Sequence, residues 1–139
     1  MWEFKTGNTF GATAFSSYGG FWLSFGMIFI PGANITGSYG GNTAILERSL
    51  GYYLLGWTIF TGIMLIASHR SSVGLVSLFF FLFITFIMLT AGKLNESINC
   101  QIAGGALGVV TALIAWYNAL SGLLTNDSSY ITLPIGRIN

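Results

Sequence analysis

The chain has 139 residues, of which only 6% are charged and 53% hydrophobic, and its mean hydropathy is +0.73. A water-soluble domain carries about 25% charged residues, so the composition excludes an ordinary soluble surface and points to a bilayer. A formal net charge of +1 leaves no basic field for nucleic acid, and a lone cysteine, Cys100, excludes an internal disulfide and a cysteine-based metal site.

Crossing about 30 Å of hydrocarbon takes about 20 helical residues. Four segments meet that length and predict an all-α membrane protein: residues 9–30, 50–68, 73–90 and 102–124. Met1 to Gly11 contains Glu3, Lys5 and Asn8, and the apolar stretch behind it is too long for a signal-peptide core. Asn8 or Thr9 can cap the first helix, whose unpaired amides form a weakly positive end. Ala12, Ser16, Gly20 and Ser24 recur every four residues, a small-residue stripe that in lipid admits a second helix at close range. Tyr18 lies about 200° around the helix from Ser16 and Gly20, so it points away from the stripe, near Phe21, Trp22 and Phe25.

Pro31-Gly32 should end this helix. A Gly-, Asn- and Ser-rich loop, 33–49, carries Glu47 and Arg48 into the second span, which is thinned by Gly51, Gly56 and Gly62. A tight connection with His69-Arg70 leads to the third span, where Phe79, Phe80, Phe81, Phe83 and Phe86 are expected to show bulk to lipid on several sides. Leu82 shares a face there with Leu78, Thr85 and Leu89. A polar turn over 93–100 precedes the fourth span, which repeats the packing logic with Gly104, Gly108 and Ala112, and a polar tail closes the chain.

Two long stretches resemble a known family. G-N-T-F-G-A-T-A-F-S-S-Y-G-G-F-W-L-S-F, from Gly7 to Phe25, is similar to the third transmembrane helix of the acetate uptake transporter family, which includes bacterial acetate/succinate transporters and fungal acetate or ammonia transporters. W-Y-N-A-L-S-G-L-L-T-N-D-S-S-Y-I-T-L-P-I-G, from Trp116 to Gly136, resembles the family's last helix and tail. The resemblance covers nearly the whole chain and is strongest with the fungal branch. It implies a single partial transporter domain over 1–139, four helices corresponding to the last four of a six-helix fold. Met1 would then stand at a position internal to the family pattern. By that expectation the chain does not transport unaided.

Orientation follows weakly from charge: Lys5, Arg70 and Arg137 on one side face Arg48 and Lys93 on the other, which favours cytoplasmic termini. The family topology agrees. The sequons at Asn34 and Asn95 then fall outside, and a third at Asn126 falls inside.

No Asp, Glu, Lys, Arg or His lies well inside any span, so a proton relay through buried carboxylates is unsupported. The polar groups available there are neutral: Thr13, Ser16, Ser17, Tyr18, Ser24, Thr58, Thr61, Thr85, Thr111, Tyr117, Asn118 and Ser121. Such dipoles suit a small monocarboxylate or its neutral acid. A dehydrated carboxylate would also need the helix end near Asn8 and water. The resemblance assigns Tyr18 and Leu82 to the family's hydrophobic constriction. Its third member, a phenylalanine after an asparagine-proline motif, has no counterpart here. Read from residue type alone, both are packing side chains. Further path-lining candidates are Asn8, Thr13, Ser17, Thr85 and Asn118. His69 beside Arg70 reads either as a proton sensor or as a solvated interfacial residue. Trp116-Tyr117-Asn118 suits either a vestibule or belt anchoring.

No catalytic triad, paired carboxylates, phosphate loop, metal cluster or cofactor site can be assembled, so no enzyme is expected. The resemblance implies transport of acetate or a related short monocarboxylate, proton-coupled in the complete family protein, in a plasma-membrane homo-oligomer that is hexameric in the family. Ammonium or ammonia export, and a non-transporting remnant acting only as an assembly partner, are the alternatives.

Overall fold

The structure, a computed structural model, describes residues 2–136 and 138. Met1 and Arg137, which entered the reading of the start and of the charge asymmetry, lie outside the described residues. The chain is helical, with no strand among the described residues: α1 (Trp2–Lys5), α2 (Thr9–Phe29), a 3₁₀ turn (Pro31–Ala33), α3 (Ile35–Ser38), α4 (Thr43–Ser68), α5 (Val73–Leu94) and α6 (Ile98–Leu123). It divides into two compact units, Met1–Glu47 and Arg48–Asn139.

In the first unit, Gly7 at φ +76° turns the chain between α1 and α2. Asn8 then caps α2: its Oδ1 accepts from Gly11 N at 3.0 Å, while its Nδ2 donates to Glu3 Oε2 at 2.6 Å. A β-carbon on Gly11 would lie 2.6 Å from Asn8 Nδ2 and 2.8 Å from Glu3 Oε2, so this cap requires glycine there. The other end of α2 is set by Pro31, as expected, because the residue before proline is pushed to extended backbone. Ile30 has φ −72° and ψ 120°. Between them, Phe25 stacks on Phe21 at 5.5 Å and meets Phe29 edge-on at 5.3 Å.

Among the described residues three helices are long and apolar enough to cross a membrane: α4, α5 and α6. With 21 residues α2 has the length, but its glycines, serines and threonines dilute its hydropathy. Two observed boundaries extend the predicted ones. Asn42 Oδ1 accepts from Ile45 N at 3.1 Å, starting α4 at Thr43 rather than Leu50 and drawing Glu47 and Arg48 out of the loop into its first turns. The polar turn after α5 shrinks to residues 95–97, with Glu96 at φ 52° and the Ser97 side chain capping α6 at Cys100 N.

In the second unit α5 packs on both neighbours through glycines. On the α6 side, a β-carbon on Gly92 would lie 2.9 Å from Gln101 N, and one on Gly104 would lie 3.1 Å from Leu89 N. Backbone thus meets backbone at these points, as a small-residue interface in lipid demands. On the α4 side, a β-carbon on Gly51 would lie 3.3 Å from Leu94 N, and one on Gly62 would lie 3.1 Å from Phe83 Cε2. Gly56 faces open space instead. The expectation that the phenylalanines of α5 face lipid on several sides is therefore corrected. Phe79 and Phe86 are among the most buried side chains, and of the five only Phe80 is exposed. Gly62 leaves room on α4 for the ring of Phe83.

Candidate functional site

Hydroxyls give the second unit its interior polarity. Thr58 on α4 and Thr90 on α5 are buried with their Oγ1 atoms 3.0 Å apart, and Thr85 on α5 meets Thr111 on α6 at 3.4 Å. Threonine is suited to this place because its hydroxyl donates to the carbonyl one turn back when no other partner is near. Thr58 does so to Leu54 O at 2.8 Å, Thr85 to Phe81 O at 2.8 Å and Thr111 to Leu107 O at 2.8 Å. Each hydroxyl has a single proton, so across a pair one threonine turns its proton to the neighbour's lone pair while the neighbour keeps its bond to the carbonyl one turn back.

The sequence-predicted residues fall as follows. Leu82 is half-buried on α5, three residues before Thr85 and so on the same face. Tyr18 and Ser17 are half-buried on α2, and Thr13, exposed, donates to Thr9 O at 2.9 Å. The Asn8 carboxamide is taken up by the α2 cap and by Glu3, so an anion approaching that helix end meets a carboxylate. Of the path-lining candidates, only Thr85 joins a buried hydroxyl pair. Asn118 clamps helices: its Nδ2 donates to Gly74 O on α5 at 2.8 Å, and its Oδ1 abuts the Gly74 α-carbon side, where a β-carbon would collide with it. His69 Nδ1 lies 2.6 Å from Ile66 O at the end of α4, which assigns the proton to that nitrogen. Among the described residues no group of His, Cys, Asp and Glu could hold a metal ion.

The tail, by contrast, has a role that the sequence reading missed. Residues Leu133 to Gly136 run extended past the start of α5 and the end of α6. Val73 N donates to Gly136 O at 2.8 Å and Gly74 N to Ile135 O at 3.1 Å. Tyr117 Oη donates to Pro134 O at 2.7 Å and Ser121 Oγ to Leu133 O at 2.7 Å. Tyr117 thus reaches the tail, while Trp116 is exposed. Two cavities flank this segment. One of about 550 Å³ lies toward Ser121, Thr125 and Asn126, and one of about 270 Å³ toward Val73, Gly74 and Tyr117. The available signal was the tail glycine behind a proline, which marks a fixed turn.

Helices packed on glycines and bridged by hydroxyl pairs suit a membrane interior, and comparison with known proteins narrows the reading. The model of the GPR1/FUN34/yaaH family matches residues 1–139. The chain belongs to that family. Ammonia transport outward protein 2 of Saccharomyces cerevisiae is 44% identical over 131 residues, covering 94% of this chain and 46% of that protein. Acetate permease A of Emericella nidulans is 42% identical over 147 residues, covering 99% of this chain and 49% of that protein. The chain thus spans about half the length of the curated relatives it matches. The solved structure of the bacterial acetate channel SatP superposes with a TM-score of 0.83 at 32% identity, covering 96% of this chain and 71% of that one. The fold therefore matches that of the bacterial acetate channel, and the chain is an integral membrane protein.

Proposed function

We propose that the chain forms part of a transmembrane path for acetate or a related short monocarboxylate, proton-coupled in the complete family protein. The observation that carries this reading is the superposition on the bacterial acetate channel over 96% of the chain. The interior chemistry supports it. Buried threonine hydroxyls and an absence of charge in the middle of the spans suit a small acid moving largely neutral. In this reading Tyr18 and Leu82 narrow the path, Ser17 and Thr85 lie along it, and the protein carries out no covalent chemistry. A plasma-membrane homo-oligomer, a hexamer as in the family, is the proposed assembly. Export of ammonium or ammonia is the second reading, favoured by 44% identity to a protein named for outward ammonia transport.

Labelled acetate and labelled methylammonium, offered in parallel to proteoliposomes carrying the chain joined to the N-terminal pair of spans of a relative, separate the readings. Saturable acetate flux that rises as external pH falls is expected. Methylammonium flux alone would replace acetate with ammonium. No flux of either from correctly inserted protein would leave a non-transporting assembly partner.

A further inference from the structure

We propose that the segment from Leu133 to Gly136 is a releasable latch between α5 and α6, and that lifting it frees α5 to move and carries Leu82 with it. The proposal rests on the reading of Leu82 as a path residue. Four consecutive carbonyls divide their bonds between two helices: those of Leu133 and Pro134 accept from Ser121 and Tyr117 on α6, and those of Ile135 and Gly136 accept from Gly74 and Val73 on α5. The first amides of a helix have no partner within it. Those of α5 are all met here, by the tail at Val73 and Gly74 and by Ser72 at Leu75 and Val76. Gly136 makes the geometry possible. It sits at φ +62°, and a β-carbon there would lie 3.0 Å from Val73 Cβ.

The latch is held by hydrogen bonds rather than by packing. Pro134 and Gly136 are exposed, Leu133 and Ile135 only half-buried, and a cavity lies on each side. A segment bonded in this way opens readily, since water can replace its partners. The opposite end of the α5–α6 hairpin is close-packed at Gly92 and Gly104, so an unlatched α5, still tied to α6 by the Asn118–Gly74 bond, gains freedom to rock about that end. Leu82 lies nine residues from Val73, about 13 Å along the helix, and moves with it.

Two variants weaken the latch by different routes. Tyr117→Phe with Ser121→Ala removes the two α6 bonds, and Gly136→Val strains the turn against Val73. Hydrogen exchange in nanodiscs should quicken at least about tenfold at the Val73 and Gly74 amides, the scale of one or two lost hydrogen bonds. Amides at 80–89 should hold, reporting that α5 remains folded. In a Leu82→Cys, Cys100→Ser background, either latch variant should change modification of position 82 by a water-soluble maleimide at least about threefold. Unchanged exchange at Val73 and Gly74 in both variants overturns the latch. Faster exchange with an unchanged rate at position 82 overturns its coupling to the path. Acetate flux through the chain joined to the N-terminal spans of a relative is read separately: its absence rejects the transport reading, while exchange and labelling still decide the latch.

Discussion

The side chain of Asn118 on α6 holds the main chain of Gly74 on α5, donating to its carbonyl at 2.8 Å across a separation of 44 residues. Its Oδ1 is buried and has no hydrogen-bond partner among the described residues. This contact joins α5 directly to α6 where glycine packing gives out, beside the bonds routed through the tail, and it requires a residue without a β-carbon opposite.

Gly74→Ala should accordingly destabilise the chain by about 1–3 kcal/mol, the cost of forcing an added methyl into a filled site. Asn118→Leu should cost less, since it removes the unpaired oxygen along with the bond. Unfolding in mixed micelles measures both. Equal costs would mean that the oxygen is satisfied in the membrane.

Gly104 and Gly105 are adjacent on α6 but meet different surroundings. A β-carbon on the first would lie 2.7 Å from Leu89 Cδ2, whereas one on the second meets nothing within 4 Å. Gly104→Ala should cost about 1–3 kcal/mol, while Gly105→Ala should be neutral or stabilise by up to about 1 kcal/mol through helix propensity. The same unfolding assay ranks them. A cost at Gly105 would reveal a helix docked on that face.

The Thr58–Thr90 contact can be isolated by a double-mutant cycle to valine, and coupling of about 0.6 kcal/mol is expected, typical of hydroxyl pairs between membrane helices. Thr111 meets Thr85 rather than Thr58, so a cycle pairing Thr58 with Thr111 should show none. Equal coupling in both cycles would assign the effect to packing.

Leu82→Ala should relax discrimination between acetate and lactate in flux assays of a complete version of the transporter. Trimming an apolar constriction is worth about 1–3 kcal/mol of selectivity, enough to admit a bulkier acid without changing the substrate class. An unchanged flux ratio at equal expression would remove Leu82 from the path.

Much of this was legible beforehand, for identifiable reasons. Apolar length marked α4, α5 and α6, and the small residues of α6 marked its packing edge, because membrane helices meet where side chains are missing. The start of α4 was misplaced because Asn42 caps a polar turn that hydropathy treats as loop. The phenylalanines of α5 were turned outward because a glycine on another helix, such as Gly62 opposite Phe83, cannot be paired with them by periodicity alone. Asn118 was legible as a polar residue in a span, but its partner is a backbone carbonyl, which carries no side-chain signature. The tail escaped notice for the same reason: its four bonds to α5 and α6 use main-chain oxygens.

The position of Glu47 and Arg48 in the first turns of α4 bears on which membrane the protein suits. At 26 residues, α4 is about 39 Å long, more than the about 30 Å of a hydrocarbon core. The part after Arg48 spans about 30 Å, so the charged turns stand in the headgroup layer as a collar. A bilayer a few ångströms thicker would pull that collar toward the acyl chains, at fractions of a kcal/mol per ångström of mismatch. Hydrophobic mismatch at this collar thus makes the chain's stability depend on lipid chain length.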